Sequence, residues 1–297
     1  MVILEPKEYS KVLALLPGKE TSTQITEAML PGEEMNTLFA EAVLRGMIKG
    51  EVLAEKREQP AWFYIRHPCQ MTLLVGNPVT VTDYDELKAF LLNEENSRNE
   101  VEWMQVYPSG WNQLLEKMLG YQLIDKGPDE HYRKPLPLDE NCKVIRYRRS
   151  DFAFQRDHYE TYRQKNQTDS MRILKTGPAV YQQLKKGVVP SLFWDSYEEF
   201  IAHGTGFTAY TPDGIPASTA FAAFVIGKQF EIGIETMESY RGLGYAHNAC
   251  SRLIEYCLEK GYEPVWGCNS GNIGSRSLAL KLGFTETVRR PYYRLPV

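Results

Sequence analysis

Along the second half of the chain, apolar and polar positions follow two rhythms. In Tyr245–Lys260 the apolar residues Ala246, Ala249, Cys250, Leu253, Ile254, Cys257 and Leu258 recur with period 3.6, which predicts an amphipathic helix closed by Gly261. Shorter helical patterns cover 151–165, 178–186, 197–202 and 273–282, the last stopped by Gly283. Extended runs are expected at 142–148, 207–210, 217–226, 230–236 and 264–268, with a strand pair over 284–295. Thr211-Pro212-Asp213-Gly214 reads as a hairpin turn, and Gly227-Lys228 as a second turn. The order is helices, an antiparallel meander, then strand–helix–strand–helix–strand, which defines an α/β or α+β sheet domain.

Two prolines two apart in Lys134-Pro135-Leu136-Pro137-Leu138-Asp139-Glu140-Asn141 forbid regular structure locally. They divide the chain into an N-terminal α/β domain (1–138) and a second domain (139–297). In the first, an apolar run at 71–75 precedes Gly76-Asn77-Pro78 and a helix over 84–92. Trp62, Trp103 and Trp111 are expected to be core aromatics.

The segment Arg241-Gly242-Leu243-Gly244-Tyr245-Ala246 joins the 230–236 strand to the long helix. A strand turning through glycines into a helix leaves unpaired N–H groups at the positive end of the helix dipole, a ready phosphate site. Gly242 and Gly244 let the backbone turn sharply and come close to a ligand. A dinucleotide fingerprint is excluded, since no third glycine follows and a meander precedes the loop. A Walker loop is excluded by the absence of Gly-Lys-Ser/Thr.

Charge and composition narrow the classes further. Residues 1–135 carry 14 Lys and Arg against 21 Asp and Glu, whereas 136–297 carry 20 against 17. The mildly basic half is the one with the phosphate-type loop, but the balance is too weak for a nucleic-acid partner. No run of about eighteen apolar residues is present to cross a membrane. Five scattered cysteines without a Cys-x-x-Cys pair argue against a disulfide framework or a zinc site and for a reducing cytoplasm; no metal is expected. Cys250 and Cys257, seven apart, read as one buried helix face.

With these elements in place, residues 142–297 resemble a GNAT-type N-acetyltransferase. That family's acetyl-CoA loop reads Arg/Gln-x-x-Gly-x-Gly/Ala, and Arg241, Gly244 and Ala246 fill its three specified positions. Its second signature is a strand, an Asn-bearing loop and a helix ending in Lys-x-Gly-Phe. Here these are Trp266-Gly267-Cys268-Asn269, then Asn272 and Ser275, then Lys281-Leu282-Gly283-Phe284. The strings Phe193-Trp194-Asp195-Ser196, Glu231-Ile232-Gly233-Ile234-Glu235-Thr236 and Trp266-x-Cys268-Asn269 are similar to the branch that includes the zwittermicin A resistance acetyltransferase.

The resemblance implies a mixed, mostly antiparallel sheet flanked by helices, with acetyl-CoA as acyl donor. Backbone amides of Arg241, Gly242, Leu243, Gly244, Tyr245 and Ala246 would hold its pyrophosphate. Main-chain groups of Ile234, Glu235, Thr236 and Met237 would pair with the pantetheine arm, one N–H polarising the thioester carbonyl. Asn272 matches the family's coenzyme-contacting Asn, Ser275 lies one turn further on and Asn269 stands before it; loop and N-cap chemistry is the plain alternative for all three. The expected reaction is acetyl transfer to a primary amine of a small molecule by direct attack in a ternary complex. A homodimer is compatible with this reading, and the sequence leaves the oligomeric state open. A protein N-terminus or lysine as acceptor, and a non-catalytic coenzyme-binding module, remain as alternatives.

Two positions depart from the family pattern. The strand glutamate that stands eleven residues before the loop in histone-acetylating members is Phe230 here. Glu231 and Glu235, an even number apart and so on one strand face, are the candidate general bases, with solvent-facing carboxylates as the equal alternative. The tyrosine many members place two residues before the Lys of Lys-x-Gly-Phe is Ala279; Tyr240, Tyr245, Tyr292 and Tyr293 are candidates only by sequence proximity. His158, His203 and His247 are expected in surface or packing roles.

The first half carries fainter echoes. Leu114-Leu115-Glu116-Lys117-Met118-Leu119-Gly120-Tyr121 parallels Leu278-Ala279-Leu280-Lys281-Leu282-Gly283-Phe284. Val101-Glu102-Trp103 parallels Pro264-Val265-Trp266, and Tyr132-Arg133 parallels Tyr293-Arg294. They suggest a degenerate GNAT-like half without the loop, against coincidence of short apolar patterns.

Overall fold

Burial along the strands separates the chain into two cores. The computed structural model describes residues 1–18, 35–81, 83–130, 136–165, 171–184 and 187–297. One compact unit comprises Met1–Arg149, Asn269–Asn272 and Arg289–Val297; the other comprises Ser150–Cys268 and Ile273–Val288.

The first unit runs β1 (Val2–Ile3), α1 (Tyr9–Leu13), α2 (Leu38–Leu44), β2 (Glu51–Ala54), β3 (Trp62–Arg66), β4 (Met71–Gly76), α3 (Tyr84–Leu91), β5 (Glu102–Tyr107), α4 (Trp111–Leu119) and β6 (Leu123–Asp125). Strands β1 to β4 pair antiparallel in sequence order, β4 and β5 pair parallel, and residues 293–295 add antiparallel to β5. Apolar side chains of this sheet bury Trp62, Tyr64, Leu74, Leu87, Trp111 and Tyr293 in one cluster. Trp62 and Trp111 are core residues as expected; Trp103 is half-buried and stacks on Tyr292, 5.2 Å between centroids.

The rest of the chain runs β7 (Val144–Phe154), α5 (Arg156–Lys165), β8 (Ile173–Lys175), α6 (Pro178–Gln183), α7 (Tyr197–His203), β9 (Gly206–Tyr210), β10 (Pro216–Ile226), β11 (Gln229–Thr236), α8 (Tyr245–Lys260), β12 (Glu263–Asn269), α9 (Ile273–Lys281) and β13 (Phe284–Leu295). In the second unit β8, β9, β10 and β11 form an antiparallel meander, and β12 joins β11 parallel. Helix α8 buries Ala249, Cys250, Leu253, Ile254 and Cys257, the stripe its periodicity predicts, and Gly261 ends it at φ 74°. With Cys250 and Cys257 at 0% exposure, burial raises both thiols well above their ordinary range.

Among the described residues both halves follow the same element order, strand, two helices, three strands, helix, strand, helix, with β8 and α6 between the two helices of the second. Several boundaries differ from the sequence expectation. The 142–148 strand extends to Phe154, and the following helix begins only at Arg156. Thr287 Oγ1 donates to the Asp151 carbonyl at 3.0 Å and Ser150 Oγ to Glu286 at 2.9 Å, so residues that read as a helix start are held as strand. The strand pair over 284–295 is one strand, and β8 was not foreseen. The helix expected over 178–186 ends at Gln183; residues 185–186, Lys134-Pro135 and Tyr132-Arg133 lie outside the described residues.

Candidate functional site

Strand β11 pairs with β10 along its whole length, from Ile226↔Gln229 to Ser218↔Thr236. On its other side it meets β12 only at Gln229↔Glu263, Phe230↔Pro264 and Glu231↔Val265. Beyond Glu231 the two parallel strands part, and one edge of β11 is left for a strand-like ligand. Ile234, Glu235 and Thr236 lie on that free stretch. Met237 does not extend it: its N–H donates to Ala217 O and its carbonyl accepts from Tyr240 N, both at 2.9 Å.

After Met237 a short 3-10 turn, Glu238–Tyr240, leads to Arg241 in extended conformation. Gly242 and Gly244 follow at φ 77° and 86°, values an L side chain rarely adopts. Gly244 is the N-cap of α8, and no acidic side chain stands in the first turn of the helix. A Cβ on Gly242 would meet no atom within 4 Å, and one on Gly244 only Asn248 Nδ2 at 3.8 Å. Among the described residues no acceptor takes the amides of 242–247, and the first intrahelical bond is Asn248 N to Gly244 O at 3.2 Å. Open space above a row of free amides at the start of a 16-residue helix fits an anionic ligand such as a diphosphate. The glycines and Leu243 are exposed; Tyr245 and Ala246 are half-buried, with the Tyr245 ring edge-on to Tyr240.

Glu231 and Glu235 lie on the β11 face opposite α8. Between them Gly233 leaves room for the Phe221 ring of β10, whose Cζ would stand 2.5 Å from a Cβ at that position. Glu231 is buried at the point where the strands part. The Glu235 carboxylate accepts from Val188 N at 2.9 Å, Thr236 N at 3.2 Å and Arg241 Nη2 at 3.4 Å. The 187–194 segment runs over this face: Phe193 packs edge-on against Phe221, and Trp194 Nε1 donates to Ala222 O at 2.7 Å, beside the β10 bulge. Sequence reasoning missed Gly187 and Val188; the signal was a glycine at the head of a Val-Val-Pro run.

Asn269 Oδ1 accepts from Gly271 N at 2.9 Å and Asn272 N donates to Asn269 O at 2.9 Å, so these two shape the turn before α9. That turn groups with the first unit, whereas the glycine loop belongs to the second. Ser275 Oγ accepts from Trp266 Nε1 at 3.2 Å. Ala279 is fully buried, so no phenol occupies its place. Tyr293 donates to Asn112 Oδ1 at 2.7 Å in the first unit, and burial pushes its phenol up to about 12. His247 packs against the Tyr162 ring at 5.4 Å, its pKa lowered by burial and then by Lys281, and His203 lies 3.4 Å from Glu199. His158 is exposed.

A cleft of about 430 Å³ opens in the first unit, lined in part by Lys49, Glu51, Arg66, His67, Arg98 and Glu102. Its charges largely satisfy one another, since Glu102 accepts from Arg66, Arg98 and Tyr64. Among the described residues no group of three His, Cys, Asp or Glu is placed to hold a metal ion, and no helix is long and apolar enough to cross a membrane.

A free strand edge beside a glycine loop is the arrangement the loop motif implies, and comparison with known proteins agrees in family. The GNAT acetyltransferase family model matches residues 28–293, and the chain belongs to that family. The match reaches well into the first half, beyond the 142–297 resemblance. The uncharacterized N-acetyltransferase YdfB of Bacillus subtilis (strain 168) is 37% identical over 102 residues, which cover 34% of this chain and 39% of that relative. A GCN5-related N-acetyltransferase-like protein of Streptococcus suis 89/1591 has a similar fold, with TM-score 0.65, 20% identity, and 97% of this chain and 98% of that one covered. A tandem GNAT protein from the clavulanic acid biosynthesis pathway aligns at TM-score 0.55 and 11% identity over 99% of this chain and 97% of that one.

Proposed function

We propose that the chain is an acetyl-CoA-dependent N-acetyltransferase acting on a primary amine of a small molecule by direct attack in a ternary complex. The observation that carries this is the parting of β11 from β12 beside a glycine loop whose overlying space is empty. The amides of 241–246 would take the diphosphate, and the free edge at 234–236 would take the pantetheine arm. Asn272 is proposed as a further coenzyme contact on its match to the family motif, and Asn269 and Ser275 as neighbouring candidates.

In the reaction the amine nitrogen attacks the thioester carbonyl, the N–C bond forms, and the C–S bond breaks. The amine proton leaves to a base and coenzyme A departs as the thiolate, which then takes a proton. A β11 N–H pointing at the carbonyl would stabilise the oxyanion. Deprotonation falls to the Glu231/Glu235 face, directly or through water. The 187–194 segment walls that face, which favours a compact amine over a peptide needing an open groove. The local strings shared with the zwittermicin A resistance-like branch point the same way. Five free cysteines fit a reducing, cytoplasmic setting.

Acetyl-CoA binding by calorimetry and coenzyme release across amines, antibiotics and polyamines test the proposal. Binding with turnover of at least one amine is expected; neither binding nor turnover would overturn it. A coenzyme-binding module without catalysis is the second reading, favoured by Phe230 and Ala279 at the two departed positions. Tight binding without turnover of any acceptor would select it.

A further inference from the structure

The Glu235 carboxylate gathers three donors from three places in the chain. Oε2 accepts from Val188 N at 2.9 Å, and Oε1 accepts from its neighbour Thr236 N at 3.2 Å and from Arg241 Nη2 at 3.4 Å. The side chain is only 16% exposed. Gly187 sits at φ +87°, and a Cβ there would collide with Oε2, so the approaching segment is shaped to reach this carboxylate. Three N–H donors take three of the carboxylate's roughly four acceptor positions, so its orientation is set by the segment, the strand and the loop it joins.

We propose that Glu235 is a positioning residue rather than the base. From one carboxylate it ties the 187–188 segment, the start of the acceptor wall, and Arg241, the first residue of the coenzyme loop, to the open end of β11. The 3.4 Å contact to Arg241 is the longest of the three and its guanidinium side is 47% exposed. Arg241 therefore swings to an arriving phosphate while Val188 stays anchored. Deprotonation is left to Glu231 or an ordered water. This assignment rests on the acetyl-CoA reading for its kinetic arm only.

The test combines hydrogen exchange with kinetics on Glu235→Ala, Glu235→Gln and Gly187→Ala. In protein without coenzyme, exchange of the Val188 amide should accelerate by roughly tenfold or more in Glu235→Ala and in Gly187→Ala. Glu235→Gln, which keeps an amide oxygen as acceptor, should restore part of the protection. In turnover, the acetyl-CoA KM of Glu235→Ala should rise about tenfold while kcat changes less than about threefold, and the pH profile of kcat should keep its shape. Unchanged Val188 exchange in all three variants would overturn the latch. So would a kcat loss of about a hundredfold in Glu235→Gln with the acidic limb of the profile gone, the signature of a lost base. If Glu235→Ala does not fold, the near-isosteric Glu235→Gln decides both arms. Because exchange is read without coenzyme, a chain that binds no acetyl-CoA would sink the proposed function and leave the latch to be judged separately.

Discussion

Strands β4 and β5 stay paired from Met71↔Trp103 to Val75↔Tyr107, whereas β11 and β12 separate after their third pair. Both pairs are parallel and both are bridged by one helix, yet one ends closed and the other open. In the first unit a Cβ on Gly76 would collide with the Ala61 carbonyl and stand 2.8 Å from Trp62 Cα. The Trp111 indole reaches the Gly76 carbonyl at 3.1 Å. Protein atoms crowd the end of β4, whereas a Cβ on Gly242, in the loop after β11, would meet none within 4 Å. The helix starts differ in the same sense. At α3 Asp83 accepts from the Asp85 and Glu86 amides at 3.1 Å, and Asp85 and Glu86 add charge to the first turn. At α8 the cap is a glycine and no acidic side chain stands in the first turn. One helix supplies its own anion, and the other awaits one. The shared element order with this contrast is what a GNAT-like half without its loop would show, which is the reading we propose for the first unit.

Gly76→Ala is the sharpest way to break this contrast. With an added Cβ against backbone and a φ of 144°, it should cost about 3 kcal/mol or more in denaturant unfolding. Gly242→Ala, with nothing to meet but a strained φ of 77°, should cost about 1 kcal/mol and mainly weaken coenzyme binding. Equal costs in the two would mean that the space above Gly242 is not free.

Acid gives the next largest effect. His67, 1% exposed in the first unit, has its pKa lowered by burial from 6.5 to about 3, and its Nδ1 accepts from Cys69 N at 3.0 Å. The neutral form is the one the fold holds. Its stabilisation is complete above the unfolded value near 6.5 and is lost as pH falls toward the folded value near 3. At pH 4.5 the loss from this group should be about 2–3 kcal/mol. His67→Asn, which keeps an acceptor for the Cys69 amide, should flatten that part of an acid titration followed by urea unfolding. A pH dependence unchanged in the variant would remove His67 from the account.

The smallest effect is expected at Asp83. Removing the cap in Asp83→Ala should cost about 1 kcal/mol, seen as a shifted unfolding midpoint. It should not create acetyl-CoA affinity in the first unit, because the Gly76 region stays filled. Coenzyme binding there on calorimetry would show that the cap alone separates the two halves.

Much of the second unit is legible in the sequence. Helix α8, its buried stripe and its Gly261 stop follow from periodicity, and the glycine loop sits where its motif places it. The errors fall where long-range partners override local signals. Ser150-Asp151 looks like a helix start, but contacts to Glu286 and Thr287 keep it extended. Met237 looks like more free edge, but Ala217 and Tyr240 take its main-chain groups. The role of Glu235 was unreadable because its strongest partner, Val188, lies 47 residues away.

Composition and spacing alone thus determined the family-type loop, the helix that backs it and the alternation of strand and helix. These depend on turns, φ preferences and periodicities acting over a few residues. Only the tertiary structure decided that β11 leaves β12 after Glu231, that backbone atoms crowd Gly76 at the end of β4, and that Glu235 binds a distant amide. Those outcomes turn on which surfaces compete for the same space, and such competition is settled by contacts between segments far apart in the chain.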